Sequence, residues 1–221
     1  MVVVFLGQEM LRKALQAIAI SGACTAGAVY QYTRKTALLS SPPSGTLLDD
    51  MRKRGLATDC FELRVDGNGS GRGSDSMGDS TPISIEHFVR AFLRSRVFSL
   101  ERFLLSKAGG ELAKNVFTND EIKEFELEIG DHVSAIFQVV DKRHAGSNEL
   151  VMCWDEGFQG HTWLQVQPGT LRFGSAYDPS SVQQFSHPYA FSLMSVFHRC
   201  YSRVLLVAAS NQLARDIAAE S

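Results

Sequence analysis

The sequence predicts an α+β fold in which an antiparallel sheet is covered by one long C-terminal helix. Three patterns support this: a helical run over 84–108, a close succession of alternating strands over 134–176, and an amphipathic helical stretch over 189–219. Strands joined by short turns form an antiparallel meander, and one face of such a sheet must be covered. The terminal helix is the element available to cover it.

Composition places the chain among ordinary globular proteins. Its 221 residues are 44% hydrophobic and 21% charged, with a formal net charge of −2, and this is enough to bury one full core. The near-neutral balance of charges argues against nucleic acid as a partner, because a protein that binds nucleic acid needs a stripe of basic residues to neutralise the phosphates. The cysteines are Cys24, Cys60, Cys153 and Cys200, without a CxxC pair. We therefore expect thiols in a reducing compartment, with neither a disulfide framework nor a metal site.

Residues 1–38 form a separate N-terminal helical segment in this prediction. The stretch 14–33 is uncharged, and the pairs Arg12-Lys13 and Arg34-Lys35 flank it. A helix needs about twenty residues to cross a bilayer, but the Ala- and Gly-rich composition here supplies little insertion energy. The segment has one acidic and four basic residues, which is also typical of a mitochondrial targeting sequence. The sequence therefore favours a membrane-associated or mitochondrial location, and an ordinary surface helix stays open.

A linker over 39–57 and one globular domain over 58–221 follow. The Ser- and Pro-rich stretch at 40–45 favours extended chain, because paired prolines prevent helix continuation. A short strand is predicted over 59–65 from its alternating apolar residues. Residues 67–80, rich in Gly and Ser, indicate a loop within the domain.

The beginning of this loop copies the opening of a calcium-binding EF-hand, starting at Asp66. An EF-hand needs a bidentate glutamate to close its loop, and Met77 occupies that position here. We therefore predict no calcium site.

The helical run over 84–108 predicts two short helices or one kinked helix. Thr81-Pro82 is a start signal, since proline is favoured in the first helical turn, and Ser99 is a second cap candidate. Downstream, alternation and turn signals predict four strands and hence three consecutive hairpins. The strands cover 134–140, 150–154, 161–167 and 171–176.

The terminal helix has two distinct sides in the sequence. Its apolar side, which we expect to be buried, consists of Leu193, Val196, Phe197, Cys200, Val204 and Ala208. Its polar side consists of His198, Arg199, Ser202 and Arg203. We interpret this polar side as a solvated face, with an anionic head group or a partner surface as the alternative.

Four stretches have a distinctive character: Phe92 to Ala108, Glu149 to Trp154, Phe173 to Ala176, and Phe197 to Leu206. Together they resemble a family of uncharacterised domains in the START-like, helix-grip superfamily. The resemblance implies a helix-grip fold, with paired helices, a curved antiparallel sheet and a long C-terminal helix around an apolar cavity. Superfamily members bind lipids, sterols and other hydrophobic molecules, and a minority are enzymes. A hydrophobic small molecule or lipid is therefore the implied partner.

We expect such a ligand to contact apolar side chains of the sheet and the helix, as is usual in small-molecule pockets. The candidates are Phe137, Val139, Met152, Trp154, Trp163, Phe173, Phe197 and Tyr201. The sequence contains no GxSxG, HExxH, phosphate-loop or GxGxxG motif. We therefore expect no cofactor, and a binding module rather than an enzyme.

Two other functions stay open. His161 and Trp163 fall on one face of a predicted strand, and Asp155 ends the preceding strand. If that face lines the cavity, Asp155 and His161 form an acid–base pair for an enzyme acting on a hydrophobic substrate. The third hypothesis is a membrane-tethered structural or interaction subunit, held by residues 14–33, which a large exposed apolar patch would favour.

Overall fold

A computed structural model describes residues 32–65, 83–108, 117–134, 137–144, 148–154, 160–182 and 188–220. The predictions for most of the N-terminal segment, for the Gly/Ser-rich loop with its rejected calcium motif, and for Asp155 lie outside these residues. The predicted helix start at Thr81-Pro82 lies outside them as well. Within the described residues the fold is α+β, as the sequence predicts.

The described residues form one sheet of seven antiparallel strands. The strands are β1 (Thr36–Leu38), β2 (Ala57–Arg64), β3 (His132–Ser134), β4 (Phe137–Arg143), β5 (Glu149–Trp154), β6 (Gly160–Gln167) and β7 (Thr170–Tyr177). Their order across the sheet is β1-β2-β7-β6-β5-β4-β3. The predicted meander is confirmed as β4 to β7, and β2 pairs with the last strand, with Phe61 opposite Phe173. The short edge strands β1 and β3 are additions to the prediction.

The described helices are α1 (Leu47–Lys53), α2 (Ile85–Arg94), α3 (Arg96–Ala108), α4 (Asn119–Lys123), α5 (Pro179–Val182) and α6 (Pro188–Glu220). The predicted helix pair is confirmed as α2 and α3, but the second cap is Ser95 and not Ser99. At Ser95 the backbone is extended (φ −58°, ψ 148°), which ends α2. Its hydroxyl then accepts the Phe98 N–H at 3.3 Å and starts α3.

The main core lies on one face of the sheet, which we call the inner face. Phe61, Phe173 and Leu164 lie side by side on β2, β7 and β6, and all three are buried together with the apolar sides of α2 and α6. The Phe92 ring of α2 lies 5.8 Å from the Phe173 ring. Each such side chain contributes on the order of 1.5–3 kcal/mol when fully buried. This layer therefore fixes the helices against the sheet.

The opposite, outer face is covered by α1, and this corrects the predicted linker over 39–57. Thr46 caps the helix by accepting the Asp49 N–H. Leu48 is buried in a cluster with Trp163 and Cys60. A polar cap residue and two apolar positions are therefore enough to form a short helix here, because the sheet offers an apolar surface for it to cover.

The long terminal helix is confirmed as α6, but of the described residues on the predicted apolar side only Ala208 is buried, and the Leu193 side chain lies outside the described part of the structure. The buried residues are Ser202, Leu205, Leu206, Ala208, Ala209 and Leu213. Val196 is 60% exposed and Cys200 is exposed, although the sequence predicts burial for both. Ser202 is buried although its polarity predicts the solvated side. Hydropathy fails here because His198 pairs with Asp59 beneath the helix and the Ser202 hydroxyl approaches the His198 ring.

Candidate functional site

A small cavity lies between the inner face of the sheet and α6. Its volume is about 20 Å³, which is room for about one water molecule. The apolar part of its lining is Phe92, Phe98, Phe137, Trp154, Phe173 and Leu205. The polar part is Glu101, Thr162, Ser175, His198, Tyr201 and Ser202. The cavity therefore combines an aromatic wall with a cluster of polar side chains.

The aromatic wall is built from rings in mutual contact. The Phe98 ring of α3 lies 5.2 Å from that of Phe92 and 5.7 Å from that of Phe137. These separations lie in the range of favourable aromatic pairs. The rings come from α2, α3 and β4, so the wall depends on the helix break at Ser95, which turns α3 relative to α2.

The most unusual polar group in the cavity is Glu101. This residue of α3 is only 5% exposed, and its Oε2 accepts a hydrogen bond from the Tyr201 hydroxyl of α6. Burial raises the pKa of the Tyr201 hydroxyl well above its usual range, and the charge of Glu101 raises it further. Tyr201 is therefore a protonated donor at neutral pH, and Glu101 is the acceptor.

His198 connects α6 with β2 beside this pair. Its Nε2 lies 3.0 Å from Oδ2 of Asp59, whose Oδ1 accepts the Ser175 N–H at 3.1 Å. The Ser202 hydroxyl approaches the same Nε2 at 3.5 Å. In a Ser-His-Asp triad the acid and the serine use opposite ring nitrogens. Because both contacts here involve Nε2, this cluster is not a triad and serves to join the helix to the sheet.

The Trp154 indole is held in place by two features of β6. Its Nε1 donates to Oγ1 of Thr162 at 2.9 Å. Its ring lies against Gly160, where an added Cβ would stand 2.1 Å from the Cε3 atom of the indole. A side chain at position 160 is therefore incompatible with this ring position, and glycine is required for the observed cavity.

The structure brings half of the predicted ligand-contacting residues to the cavity. Phe137, Trp154, Phe173 and Tyr201 line it. Val139 and Met152 are buried in the surrounding core, and Phe197 stacks on Tyr201 with ring centroids 5.9 Å apart without reaching the lining. The sequence prediction missed Glu101, Ser175 and Ser202. Their polarity gave no signal, since buried polar residues and surface residues look alike in a sequence.

The structure places Trp163 and His161 away from the cavity, which corrects the prediction that they would face a ligand. Trp163 is fully buried on the outer face, in the cluster with Leu48, and His161, two residues earlier on β6, shares that face. Burial lowers the pKa of the His161 imidazole, against a smaller opposing effect of a hydrogen bond with the Ala176 backbone. An acid–base pair through His161 therefore has no place in the cavity beneath α6.

A larger surface groove, of about 390 Å³, lies between α2 and the end of α6. Its cationic side chains are already engaged. Arg94 pairs with Asp216 at 3.3 Å, and the Arg90 guanidinium donates to the Phe125 carbonyl oxygen. Both arginines of the groove are therefore engaged within the protein, and we take the buried polar cluster as the candidate site.

Over the described stretches of the chain, no group of three or more His, Cys, Asp or Glu side chains is arranged to hold a metal ion. In the same stretches no helix is long and apolar enough to cross a bilayer. Comparison of the chain with protein-family models, with curated proteins and with solved structures finds no match. The resemblance to helix-grip domains is therefore a prediction without independent support.

Proposed function

We propose that this chain is a helix-grip module that binds an apolar small molecule or lipid between its sheet and α6. The order of the elements supports the helix-grip part of the proposal. Strand β2 precedes the helix pair α2–α3, the meander β4–β7 follows, and β2 pairs with β7 beneath the terminal helix. This is the succession of elements that the resemblance implies.

The observation that carries the binding part is the polar cluster inside an aromatic core. Burying a carboxylate such as Glu101 costs several kcal/mol before its partner offsets the cost. Apolar side chains of similar volume would hold the helix at least as well. Stability alone therefore does not account for Glu101 and Tyr201 in this layer. A mostly apolar site with a few convergent polar groups is the usual composition of a ligand pocket.

The size of the cavity determines how binding would occur. Ligand pockets typically enclose about 300–1,000 Å³, whereas this cavity has about 20 Å³. A ligand would therefore have to displace α6 from the sheet over its first half. Among the described side chains of α6, such a movement would break the contacts of His198 with Asp59 and of Tyr201 with Glu101, and the packing of Arg203 on the Phe61 ring.

Native mass spectrometry of the purified full-length protein, followed by organic extraction, tests the proposal. The expected result is a retained apolar ligand that extraction releases. The variant Ser202→Leu fills the cavity from the helix side and is expected to lose the ligand. The same substitution at Ser210, on the same helix but outside the lining, is the matched control and should retain it. A full-length protein that neither retains nor takes up apolar molecules would refute the proposal.

A second candidate function rests on exposed apolar side chains near the same elements. Leu100 and Phe103 of α3 are 59% and 55% exposed, and Val196 of α6 is 60% exposed. Large exposed apolar side chains are typical of docking surfaces, which would suit an interaction subunit. The variant Leu100→Ser/Phe103→Ser distinguishes the two functions. Loss of a co-purifying protein with the ligand retained would favour docking, whereas a variant that keeps its ligand and loses no co-purifying protein would contradict docking through this surface.

A further inference from the structure

We infer that the cavity beneath α6 is a binding site for one buried water molecule, which joins Thr162 and Ser175 of the sheet to Ser202 of the helix. The inference goes beyond the proposed function and does not depend on it, because it concerns the protein with α6 closed on the sheet. It follows from the placement of these hydroxyl groups, from their hydrogen bonds and from the volume between them.

The serine and threonine hydroxyl groups come from different elements and line the same cavity. Thr162 of β6 and Ser175 of β7 are direct partners in the antiparallel pairing. Each lies two residues from a core residue of the inner face, Leu164 or Phe173, and therefore shares that face. Thr162 is 2% exposed, and Ser175 and Ser202 are 0% exposed. Bulk solvent therefore does not reach these groups, and their hydrogen-bond partners have to lie inside the fold.

The protein leaves these hydroxyl groups short of partners. The Ser175 Oγ atom has no hydrogen-bond partner among the groups that the structure describes. Thr162 Oγ1 accepts the Trp154 indole N–H at 2.9 Å, which leaves its own hydrogen to donate. The Ser202 hydroxyl approaches Nε2 of His198 at 3.5 Å, which is long for a hydrogen bond. Buried polar groups in proteins are normally bonded to the protein or to ordered water, so a water molecule is the partner that this cluster requires.

The volume between the hydroxyl groups matches one water molecule. It is about 20 Å³, whereas a single water needs about 10–15 Å³ of such space. A buried water makes about three hydrogen bonds, and cavities that stay dry are apolar. Water in this position accepts a hydrogen bond from Thr162 and donates to the oxygen atoms of Ser175 and Ser202. The site therefore supplies both the room and the partners.

The water accounts for the burial of Ser202 on the side of α6 that faces the sheet. It also makes this attachment of the helix exchangeable, because the hydroxyl groups and the water find new partners in the solvent when the helix separates. Apolar side chains in the same place would instead become exposed to water, which is unfavourable. The helix is therefore easier to lift at this point than it would be over a packed apolar contact.

Magnetic relaxation dispersion of oxygen-17 and deuterium tests the inference with the full-length protein, since it counts water molecules that stay bound for longer than the protein takes to tumble. The variant Ser175→Ala/Ser202→Ala removes two of the three partners and is expected to lower this count by about one. The matched control Ser210→Ala, on the same helix but outside the lining, should leave the count unchanged. An equal count in the wild type and in the folded double variant overturns the inference.

The wild type alone gives a second readout that needs no variant. A crystal structure at atomic resolution should show one water within hydrogen-bond distance of the Thr162, Ser175 and Ser202 oxygen atoms. A well-ordered site without that density overturns the inference.

A double-mutant cycle tests the bridge itself. Ser175 and Ser202 form no direct hydrogen bond, so the water is the group through which their hydroxyls are coupled. Once one hydroxyl is removed, removal of the second should cost less than it does alone, and the equilibrium constant of unfolding should depart from additivity by at least about threefold. Urea unfolding measures this, with Ser175→Ala/Ser210→Ala as the pair expected to be additive. Additivity in the Ser175/Ser202 pair overturns the bridge.

Discussion

Among the described residues, Glu149 is buried at the outer face of the sheet and Glu101 of α3 is buried over the inner face, and the two are held in different ways. On the outer face, Oε2 of Glu149 accepts the Trp163 indole N–H at 2.6 Å and the Leu47 backbone N–H at 3.0 Å. On the inner face, Glu101 accepts from the Tyr201 hydroxyl at the edge of a cavity. The comparison separates an acid that ties a helix to the sheet from an acid that a ligand could reach.

The donors explain the difference. An indole in a packed cluster and a backbone N–H at a helix start are fixed groups, so Glu149 is part of the attachment of α1. A tyrosine hydroxyl on α6 leaves with the helix if the helix moves. We therefore expect substitution of Glu149 to affect stability and substitution of Glu101 to affect binding.

The largest expected effect is that of Trp163→Ala. It removes a fully buried aromatic side chain and should lower the free energy of unfolding by about 3–5 kcal/mol. Trp163→Phe keeps most of the ring but removes the donor to Glu149, and should cost about 1–3 kcal/mol. Urea unfolding followed by far-ultraviolet circular dichroism measures both. A Trp163→Phe variant as stable as the wild type would contradict the assignment of a separate role to the indole N–H.

A paired substitution of the two glutamates sharpens the comparison. Glu149→Leu leaves the N–H groups of Trp163 and Leu47 without their acceptor and should destabilise the protein by about 1–3 kcal/mol. Glu101→Leu combined with Tyr201→Phe removes both partners of the inner pair, and should be neutral or stabilising. Urea unfolding followed by circular dichroism measures the change in the free energy of unfolding for both variants. Comparable destabilisation by both would remove the distinction between the faces.

Alkaline pH probes the inner pair when the wild type is compared with Tyr201→Phe. The pKa of Tyr201 is raised in the folded protein, so its contribution to stability is complete below the unfolded value of about 10 and is lost as the pH rises toward the folded value. The wild type should lose up to about 1.4 kcal/mol per pH unit more than Tyr201→Phe above that point. Unfolding free energies measured as a function of pH test this. Parallel curves would show that the hydroxyl is not buried as described.

The smallest effect concerns thiol reactivity. Burial raises the pKa of Cys60, on the outer face, to about 12, whereas Cys200 on α6 is exposed. An alkylating reagent at pH 8 should therefore modify Cys200 and spare Cys60, since the thiolate is the reactive form. Peptide mass spectrometry reads out both positions. Rapid modification of Cys60 in the folded protein would show that α1 does not seal the outer face.

Periodicity alone predicted the meander and the terminal helix, because alternation over β4 to β7 and apolar content over α6 are local properties of the sequence. It missed α1, whose few apolar residues gain their stability from the outer face of the sheet. It also misplaced Trp163, since the side of a strand that faces the core is set by the other strands. The polar side of the cavity was not predicted, because Glu101 and Ser202 are polar residues. Their burial depends on the side chains around them in the fold, which hydropathy does not report.

Gly160 has a consequence for any attempt to reshape the site. The Trp154 ring occupies the space where a side chain at position 160 would begin. Adding a single methyl group there would force the indole to give up its bond to Thr162 or to swing into the hollow. The volume of the cavity thus depends on the absence of a side chain at position 160. A substitution there would change this volume even if the terminal helix did not move.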